Sequence, residues 1–510
     1  MKPAPTPLAP LLCSLCFLLL LLSGCSRSES ASQSKPVQRP LEGVKLRLAV
    51  VDDPALAAAI VQVRGEWNAE TGADFEVVEK TERDLANSDS LPADAVLCPS
   101  HMLGDLAERK LLAPVPPKIL HDAQWGGIFE LLKLREAAWG KQVLAVPFGS
   151  PVLCCYYRAD LLEKLGRQPP QTWAEYQELA KLLAQSSAGL QAGEGPGVRA
   201  AQNSPLPLGE GPGVRAAWCG TIEPLAPGWA GLTLLARAAP YAKHHDNFST
   251  LFNIDTMEPL VAGPPMVQAL EELVTATKLG PADPFRYDPA AVRAAFWNGQ
   301  CGMALTWPTA AKQGREERGE GRGGRGSQIR AGFAELPGSR RVFNLSGQVW
   351  DDRTEDDDPH VPLLAIAGRL GVVSAKSERT QAAFELLLWL SDSRMSPQTS
   401  AASPATTLFC QSNLKSPKQW VEKPVSQTAA AQYGAATEAA LRHEQWLGAL
   451  CLPGRAEYLA ALDEAVAAAV GGKKSPHDAL RDAAATWREI TAHLGLDRQR
   501  AAYRHSLGLE

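Results

Sequence analysis

Four polar side chains that could bind or act on a small molecule follow two predicted strands of the chain. Asp52 and Asp53 come directly after one apolar run, and Ser100 and His101 come shortly after another. Because ligands of open α/β sheets bind at the carboxyl ends of the strands, we expect these side chains to lie at one cleft. Carboxylate, hydroxyl and imidazole groups can hydrogen-bond the hydroxyls of a solute, and a suitable carboxylate pair can hydrolyse a glycosidic bond.

The rest of the sequence gives little support for catalysis. A glycoside hydrolase needs two carboxylates about 5–10 Å apart across its cleft, and no second acidic motif matches Asp52 and Asp53. The sequence also lacks the motifs of serine hydrolases, zinc proteases and phosphate-binding loops. The acidic segment 351–358 (DDRTEDDD) lacks the glycine and the spacing of a helix–loop–helix calcium site, which favours a solvated loop. We therefore predict no catalytic residue, no metal ligand and no cofactor.

Composition limits which classes of molecule or ion the protein is expected to bind. The 510 residues carry 51 basic and 56 acidic side chains and a net charge of −5, which argues against nucleic acid as a partner. The cysteines after residue 25 have no CxxC spacing and no neighbouring histidine cluster, which favours buried thiols over a zinc site. These cysteines are Cys98, Cys154, Cys155, Cys219, Cys301, Cys410 and Cys451.

The N-terminal segment has the features of an export signal. Lys2 precedes the apolar run Leu11–Leu22, which is shorter than the roughly 18 residues that a membrane-spanning helix needs. Leu22-Ser23-Gly24-Cys25 closes the run and resembles the lipobox of bacterial lipoproteins. The resemblance implies that residues 1–24 are removed and that acylated Cys25 anchors the protein to a lipid bilayer, facing the periplasm or the exterior. An ordinary signal peptide with a chance cysteine is the alternative.

The elements around the candidate residues predict an α/β fold. Residues 25–42 are Ser-rich and predict a tether, and beyond them strands and helices alternate in an order that favours a largely parallel sheet. Pro54 suits the first turn of a helix, and one apolar face of that helix contains Leu56, Ile60, Val63 and Trp67.

Two further segments are predicted to be disordered insertions in surface loops. The nonapeptide GEGPGVRAA occurs twice within residues 193–217, and residues 314–327 consist almost entirely of Gly, Arg and Glu. Neither segment contains enough apolar surface to offset the entropy of ordering its chain.

A resemblance to a known family rests on residues 145–184 and on five further blocks in the same order. In residues 145–184 a predicted strand leads to a helix that opens with the capping box Thr172 and Glu175. The further blocks are 103–115, 252–273, 296–308, 362–392 and 456–495. Together they resemble family 1 of the extracellular solute-binding proteins of ABC transporters, the group that is similar to maltose-binding protein.

The resemblance implies a two-lobe periplasmic-binding-protein fold with a hinge, in which the lobes close on a solute. Lobe one would comprise 43–150 with 345–395, and lobe two 151–344 with 396–510. The implied function is capture of a small solute by a monomer and its delivery to the permease subunits of an ABC importer. A sensory protein that reports to a membrane receptor would share this fold, and a secreted glycoside-active enzyme is a third alternative.

The same blocks place several aromatic and polar residues near the cleft. A flat indole face stacks on the C–H surface of a sugar ring, so Trp218, Trp307 and Trp350 are candidate ligand-binding residues; core packing is the alternative for each. Ser150 and Tyr156 are further candidates. Carbohydrate is therefore the predicted class of ligand.

Overall fold

The computed structural model describes residues 39, 41–86, 88–185, 218–310 and 329–510. Cys25, the predicted signal peptide and both predicted insertions lie outside these residues. Within the described ranges, no helix is both long enough and apolar enough to cross a membrane.

The described strands form two main sheets and three small ribbons. The first sheet has five strands in the order β2-β1-β3-β14-β6, and the second has four in the order β10-β7-β9-β8. In chain order the strands are β1 (Lys45–Val51), β2 (Asp74–Lys80), β3 (Ala95–Pro99), β4 (Ala138–Trp139), β5 (Gln142–Val143), β6 (Ala145–Pro147), β7 (Cys154–Arg158), β8 (Cys219–Ile222), β9 (Cys301–Thr306), β10 (Ala331–Glu335), β11 (Arg341–Asn344), β12 (Val349–Asp352), β13 (Leu363–Leu364), β14 (Arg369–Val373) and β15 (Leu447–Gly448).

Helices cover both sheets, and short 3₁₀ or π turns join several of the elements. In chain order the described α-helices are α1 (Pro54–Thr71), α2 (Glu82–Ala86), α3 (Leu103–Glu108), α4 (Pro117–Leu120), α5 (Ala123–Gly126), α6 (Ala159–Leu165), α7 (Trp173–Gln185), α8 (Ala230–Ala242), α9 (Pro264–Thr277), α10 (Pro289–Trp297), α11 (Thr380–Leu390), α12 (Gln427–Ala440), α13 (Arg455–Val470), α14 (Pro476–Leu494) and α15 (Leu496–Ser506).

The first sheet is parallel where the sequence predicted it to be. Strand β1 pairs in parallel with β2 and β3, whereas β14 runs antiparallel to β3 and β6. Helix α1 covers this sheet and buries the four apolar residues of the predicted face. Asp53 caps the helix, because its side chain accepts a hydrogen bond from the Leu56 backbone N–H at 3.1 Å.

The chain passes between the two sheets three times. The segment 148–153 leads from β6 to β7, the segment 336–368 leads from β10 to β14, and the segment 391–426 leads from α11 to α12, which packs on β10. Two of these passages reach the carboxyl ends of β1 and β3, where the Ser403 hydroxyl donates to Asp53 and the Ser100 N–H donates to the Gly368 carbonyl. The predicted capping box of α7 is present, with the Glu175 N–H donating to Thr172 Oγ1 and the Thr172 N–H donating to the Glu175 carboxylate, both at 3.3 Å.

The boundaries of the two lobes stay a prediction, and two placements bear on them. Strand β14 lies in the first sheet although it follows the second sheet in the chain. The β11–β12 ribbon packs beside α8, where the Trp350 ring lies 6.0 Å from that of Tyr241.

The cysteines of the described residues are free thiols, and all of them except Cys451 are buried.

Candidate functional site

A cavity of about 200 Å³ lies between the first sheet, the end of α8 and the last helix. It combines three chemical features, namely the carboxylates of Glu136 and Glu444, several hydroxyls and aromatic faces. Its lining includes Ser100, Arg135, Glu136, Trp139, Lys243, Phe248, Thr250, Trp446, Tyr503 and Ser506. A mostly apolar wall with a few convergent polar groups is typical of small-molecule sites.

Glu136 is the most unusual of these residues. It ends a π-helical turn, Leu132–Glu136, which is closed by a 2.8 Å hydrogen bond from the Ala137 N–H to the Leu132 carbonyl. Turns of this kind are rare and frequently mark functional sites. The side chain is buried, and its carboxylate has no well-placed donor in the described part of the chain apart from the neighbouring Ser100 and Ser150 hydroxyls. Burial raises the pKa of the Glu136 carboxyl to about 7.

Two predicted site residues lie beside this carboxyl group. The Ser100 and Ser150 hydroxyls both donate to the Ala367 carbonyl, at 2.8 and 3.3 Å, and their proximity to Glu136 partly opposes the rise in its pKa. Gly368 permits this close approach, because its φ is +123° and a Cβ at that position would stand 2.9 Å from the Gly149 carbonyl oxygen. The two serines therefore supply hydroxyls that can turn towards a bound solute.

Aromatic and cationic groups form the opposite walls of the cavity. Trp139 is buried and donates its indole N–H to the Glu108 carboxylate at 2.7 Å, which fixes the ring. Trp446 is half-buried, and the Arg135 guanidinium lies 5.4 Å from its ring centre. Burial lowers the pKa of Lys243. This wall therefore offers an indole ring, which stacks with the Arg135 guanidinium, and a second cation from Lys243.

Asp52 and His101 lie at the carboxyl ends of β1 and β3, as predicted from their positions. The Asp52 carboxylate accepts from the Glu82 N–H at 2.8 Å, and the Glu82 carboxylate lies 3.2 Å from His101 Nε2. Burial lowers the pKa of His101. Asp52 has a φ of +47°, so the chain turns sharply at the end of the strand. Neither residue lines the cavity around Glu136.

The Asp53 carboxylate is hydrogen-bonded by other groups of the protein. Its buried carboxylate accepts from Arg369 Nε at 2.9 Å and from the Ser403 hydroxyl at 2.5 Å, besides capping α1. These donors come from three separate elements, namely the first turn of α1, the start of β14 and the segment between α11 and α12. The carboxylate is therefore fully hydrogen-bonded within the protein, and its predicted role in ligand binding stays untested.

Trp307 is buried, with only 3 % of its surface exposed. Its indole N–H donates to the Pro404 carbonyl at 3.1 Å, its ring lies 5.5 Å from that of Trp229, and the Arg293 guanidinium lies 5.5 Å from its ring centre. The side chain thus joins the end of β9 to the segment that follows the short 3₁₀ turn at 400–402.

We expect Trp307→Phe to lower the free energy of unfolding by about 1–3 kcal/mol, because the Pro404 carbonyl loses its buried donor. Solute affinity should be unchanged, since this contact lies outside the cavity. Chemical denaturation and a binding titration of the same preparation measure both quantities. A weakened affinity with unchanged stability would instead support the predicted stacking role.

The other aromatic candidates also have partners in the protein. Trp218 donates its indole N–H to the Leu183 carbonyl at 2.9 Å. The Trp350 ring lies beneath the Arg341 guanidinium, 4.9 Å from its centre. Tyr156 is buried in the second sheet between the rings of Phe296 and Phe333. None of these three lines the cavity, and their roles as ligand contacts remain predictions.

Sequence reasoning missed Glu136, Trp139 and Trp446. Glu136 follows an apolar helix-like run in which a single carboxylate normally lies at the surface, and periodicity gives no sign of a π turn. Trp446 comes from a loop between α12 and α13 that no resemblance block covered. The sequence offered one hint of this site, because Glu136 is followed by Ala-Ala-Trp and a carboxylate and an indole are therefore close together in the chain.

Comparison with known proteins gives a family match along most of the chain. Residues 54–394, more than half of the chain, match the family model described as bacterial extracellular solute-binding protein. No curated protein sequence matches the chain.

Several solved structures share the fold at low sequence identity. An ABC transporter solute-binding protein from Agrobacterium radiobacter K84 in complex with ribitol is 17% identical, with a TM-score of 0.60 over 88% of this chain and 100% of that one. The sugar-binding protein MalE from Xanthomonas citri is 15% identical, with a TM-score of 0.61 over 88% and 98%. Maltose-bound MalE3 from T. maritima is 16% identical, with a TM-score of 0.58 over 88% and 100%. The fold is therefore the two-lobe periplasmic-binding-protein fold predicted from the sequence.

Proposed function

The chain belongs to the bacterial extracellular solute-binding protein family, and from that premise we propose that it captures a sugar or polyol in the cavity around Glu136. The captured solute would pass to the permease subunits of an ABC importer. Proteins of this family and fold bind substrates and are not enzymes, which excludes the glycoside-active alternative. The single observation that supports the cavity is the buried carboxylate of Glu136, whose nearest donors, the Ser100 and Ser150 hydroxyls, are also placed to donate to the Ala367 carbonyl.

A polyhydroxylated solute fits the chemistry of this cavity. Leaving a buried carboxylate without donors costs free energy, and the hydroxyls of a sugar or polyol would supply those donors. The Ser100 hydroxyl and the cations of Arg135 and Lys243 could satisfy the oxygens of the same solute, while Trp446 presents an indole face to its C–H groups. Similar structures bind ribitol, D-mannitol and maltose, which supports this class of ligand.

A thermal-shift screen tests the proposal directly. Ribitol, D-mannitol, tagatose and maltose are the first probes, with amino acids and polyamines as controls. A solute present at 100 times its dissociation constant should add about 2.7 kcal/mol to the free energy of unfolding. The hit should then lose affinity when Trp446 is replaced by Ala, whereas Trp389→Ala, whose indole packs on Trp67 and donates to Glu70 outside the cavity, should leave affinity unchanged. Stabilisation by amino acids alone would contradict the proposed ligand class.

We also propose that acylated Cys25 anchors the protein to a membrane. The lipobox-like sequence Leu22-Ser23-Gly24-Cys25 supports this proposal, since two or more acyl chains give stable anchoring.

Cys25→Ala should therefore release the exported protein into the soluble fraction while solute binding is retained. Fractionation followed by a carbonate wash measures the release, and Cys451→Ala is a matched control that should stay membrane-bound. If Cys25→Ala also stays in the washed membranes, the lipoprotein proposal is wrong.

A further inference from the structure

A second cluster of polar side chains lies where the chain crosses from the second sheet to the first, and none of its three members lines the cavity around Glu136. Glu335 ends β10, His360 shortly precedes β13, and His443 follows α12. Each of the three is half-buried and offers a ligand atom, and these three atoms lie within 4.8 Å of one another.

One carboxylate orients both imidazoles of the cluster. Asp358 Oδ1 lies 2.7 Å from His360 Nδ1, and Asp358 Oδ2 lies 3.2 Å from His443 Nδ1. The two rings are nearly parallel, with an interplanar angle of 20°. Because Asp358 engages Nδ1 of each ring, Nε2 of each ring is the nitrogen left for another partner. His443 Nε2 already lies 2.6 Å from a Glu335 oxygen.

We propose that Glu335, His360 and His443 bind a divalent transition-metal ion such as Zn²⁺. Two imidazole nitrogens and one carboxylate form a ligand set that zinc accepts, with bonds of about 2.0–2.2 Å. Tetrahedral ligands at that bond length lie roughly 3.3 Å apart, so rotations at the ends of the three side chains suffice to form the site. Asp358 would be the outer carboxylate that fixes the tautomer and orientation of metal-bound histidines.

The surroundings of the cluster favour the entry of a cation. His360 and His443 face a cavity of about 660 Å³ whose lining contains five acidic side chains and three basic ones. The acidic groups include Asp351 and Asp357 of the loop that the sequence analysis interpreted as solvated. An acidic, solvent-connected cavity raises the local concentration of cations. It also leaves the fourth coordination position open to water.

The site lies beside two of the three passages between the sheets. Val152 and Leu153, from the passage between β6 and β7, line the same small cleft as Glu335, His360 and His443. A bound ion would tie the end of β10 and the end of α12 to the segment that leads into β14. Metal binding would therefore stiffen these two passages between the sheets.

Isothermal titration calorimetry of the chelator-treated protein with zinc chloride tests the proposal. The wild-type protein should bind one ion per chain, and His360→Ala and His443→Ala should each weaken that binding by at least 100-fold. Asp358→Asn should retain the stoichiometry but weaken affinity by about 10- to 100-fold, as loss of an outer-shell partner does. His245→Ala is the matched control, because His245 lines the same cavity, is 75% exposed and lies outside the proposed ligand set.

Each alternative outcome overturns the assignment. The proposed site is wrong if the wild-type protein does not bind zinc stoichiometrically. It is also wrong if the His360 and His443 variants bind zinc with wild-type affinity. Loss of binding in His245→Ala would move the ion to His244, His245 and Asp246, the other histidine group of the described residues. Circular dichroism of the metal-free variants establishes folding; if His443→Ala fails to fold, His360→Ala and Glu335→Gln decide. The titration contains no sugar, so its outcome is independent of the proposed solute binding.

Discussion

Replacing Glu136 with glutamine is expected to raise the free energy of unfolding by roughly 3 kcal/mol above pH 8 while weakening solute binding. Burial of the carboxyl raises its pKa from 4.5 to about 7, although the neighbouring Ser100 and Ser150 hydroxyls partly oppose the rise. Above that pH the folded protein must bear a buried charge that the unfolded chain solvates freely. Glutamine has the same shape and no charge, so the variant avoids this cost.

The sign of the pH dependence follows from the direction of the shift. Between pH 4.5 and about 7 the folded state of the wild-type protein binds more protons than the unfolded state, so its stability falls as pH rises through this range. Below pH 4.5 the carboxyl is protonated in both states and the difference between the wild-type protein and Glu136→Gln should vanish. Chemical denaturation of both proteins at pH 4, 6 and 8 measures the divergence.

The same substitution should weaken solute affinity by about 10-fold, because hydrogen bonds to a charged acceptor are stronger than those to a neutral amide. Affinity of the wild-type protein should fall as pH drops below 7, and Glu136→Gln should lack this dependence. Glu422→Gln is the matched control, since the Glu422 carboxylate accepts from Trp297 Nε1 at 2.6 Å and from the Thr309 N–H at 3.1 Å. Unchanged affinity in Glu136→Gln would remove the cavity from the proposed function.

Local elements could be predicted because their causes are local. The apolar face of α1 and the reciprocal hydrogen bonds of Thr172 and Glu175 depend on residues within one or two helical turns. Parallel pairing of β1, β2 and β3 follows from the alternation of strands and helices. The family resemblance supplied the two-lobe arrangement, which local patterns alone do not determine.

Site residues were harder to predict, because their surroundings come from distant parts of the chain. Asp53 lies at a strand end as expected, yet its partners Arg369 and Ser403 are more than 300 residues away in sequence. Trp307 directly follows β9, as predicted, but its indole N–H is already bonded to the Pro404 carbonyl. A position at the end of a strand therefore predicts that a side chain lies near a cleft. It does not predict whether a distant segment of the chain already hydrogen-bonds that side chain.

The two features that support our proposals gave almost no sequence signal. Burial of Glu136 depends on a π turn, and the hydrogen-bond pattern of that turn is invisible in the hydrophobic periodicity. Glu335, His360 and His443 are brought together by chain crossings, and their spacing matches no metal-binding motif. Spacing motifs detect ligands on one element, whereas this cluster draws one ligand from each of three segments.

Arg369→Met is expected to lower the free energy of unfolding by about 3–5 kcal/mol, because it leaves the Asp53 carboxylate buried without its cationic partner. Asp53 is almost fully buried and Arg369 is 8% exposed at the side chain. The guanidinium also donates to the Gly368 carbonyl at 3.1 Å and the Asp52 carbonyl at 3.2 Å. It therefore holds the end of β1 against the start of β14. Denaturation at pH 7 measures the loss.

Two further variants separate the stability lost through the unpaired buried charge from the stability lost through poorer packing. Adding Asp53→Asn to Arg369→Met removes the unpaired charge and should recover part of the lost stability, since the amide can still accept from Ser403. Arg64→Met is the matched control, because Arg64 pairs with Asp74 at 2.6 Å while both side chains are solvent-exposed, and it should cost under about 1 kcal/mol. If Arg369→Met lowers the free energy of unfolding no more than Arg64→Met does, the Asp53–Arg369 pair does not stabilise the contact between the end of β1 and the start of β14. That result would support the predicted role of Asp53 as a ligand contact, because its carboxylate would be free to exchange a protein donor for a solute hydroxyl.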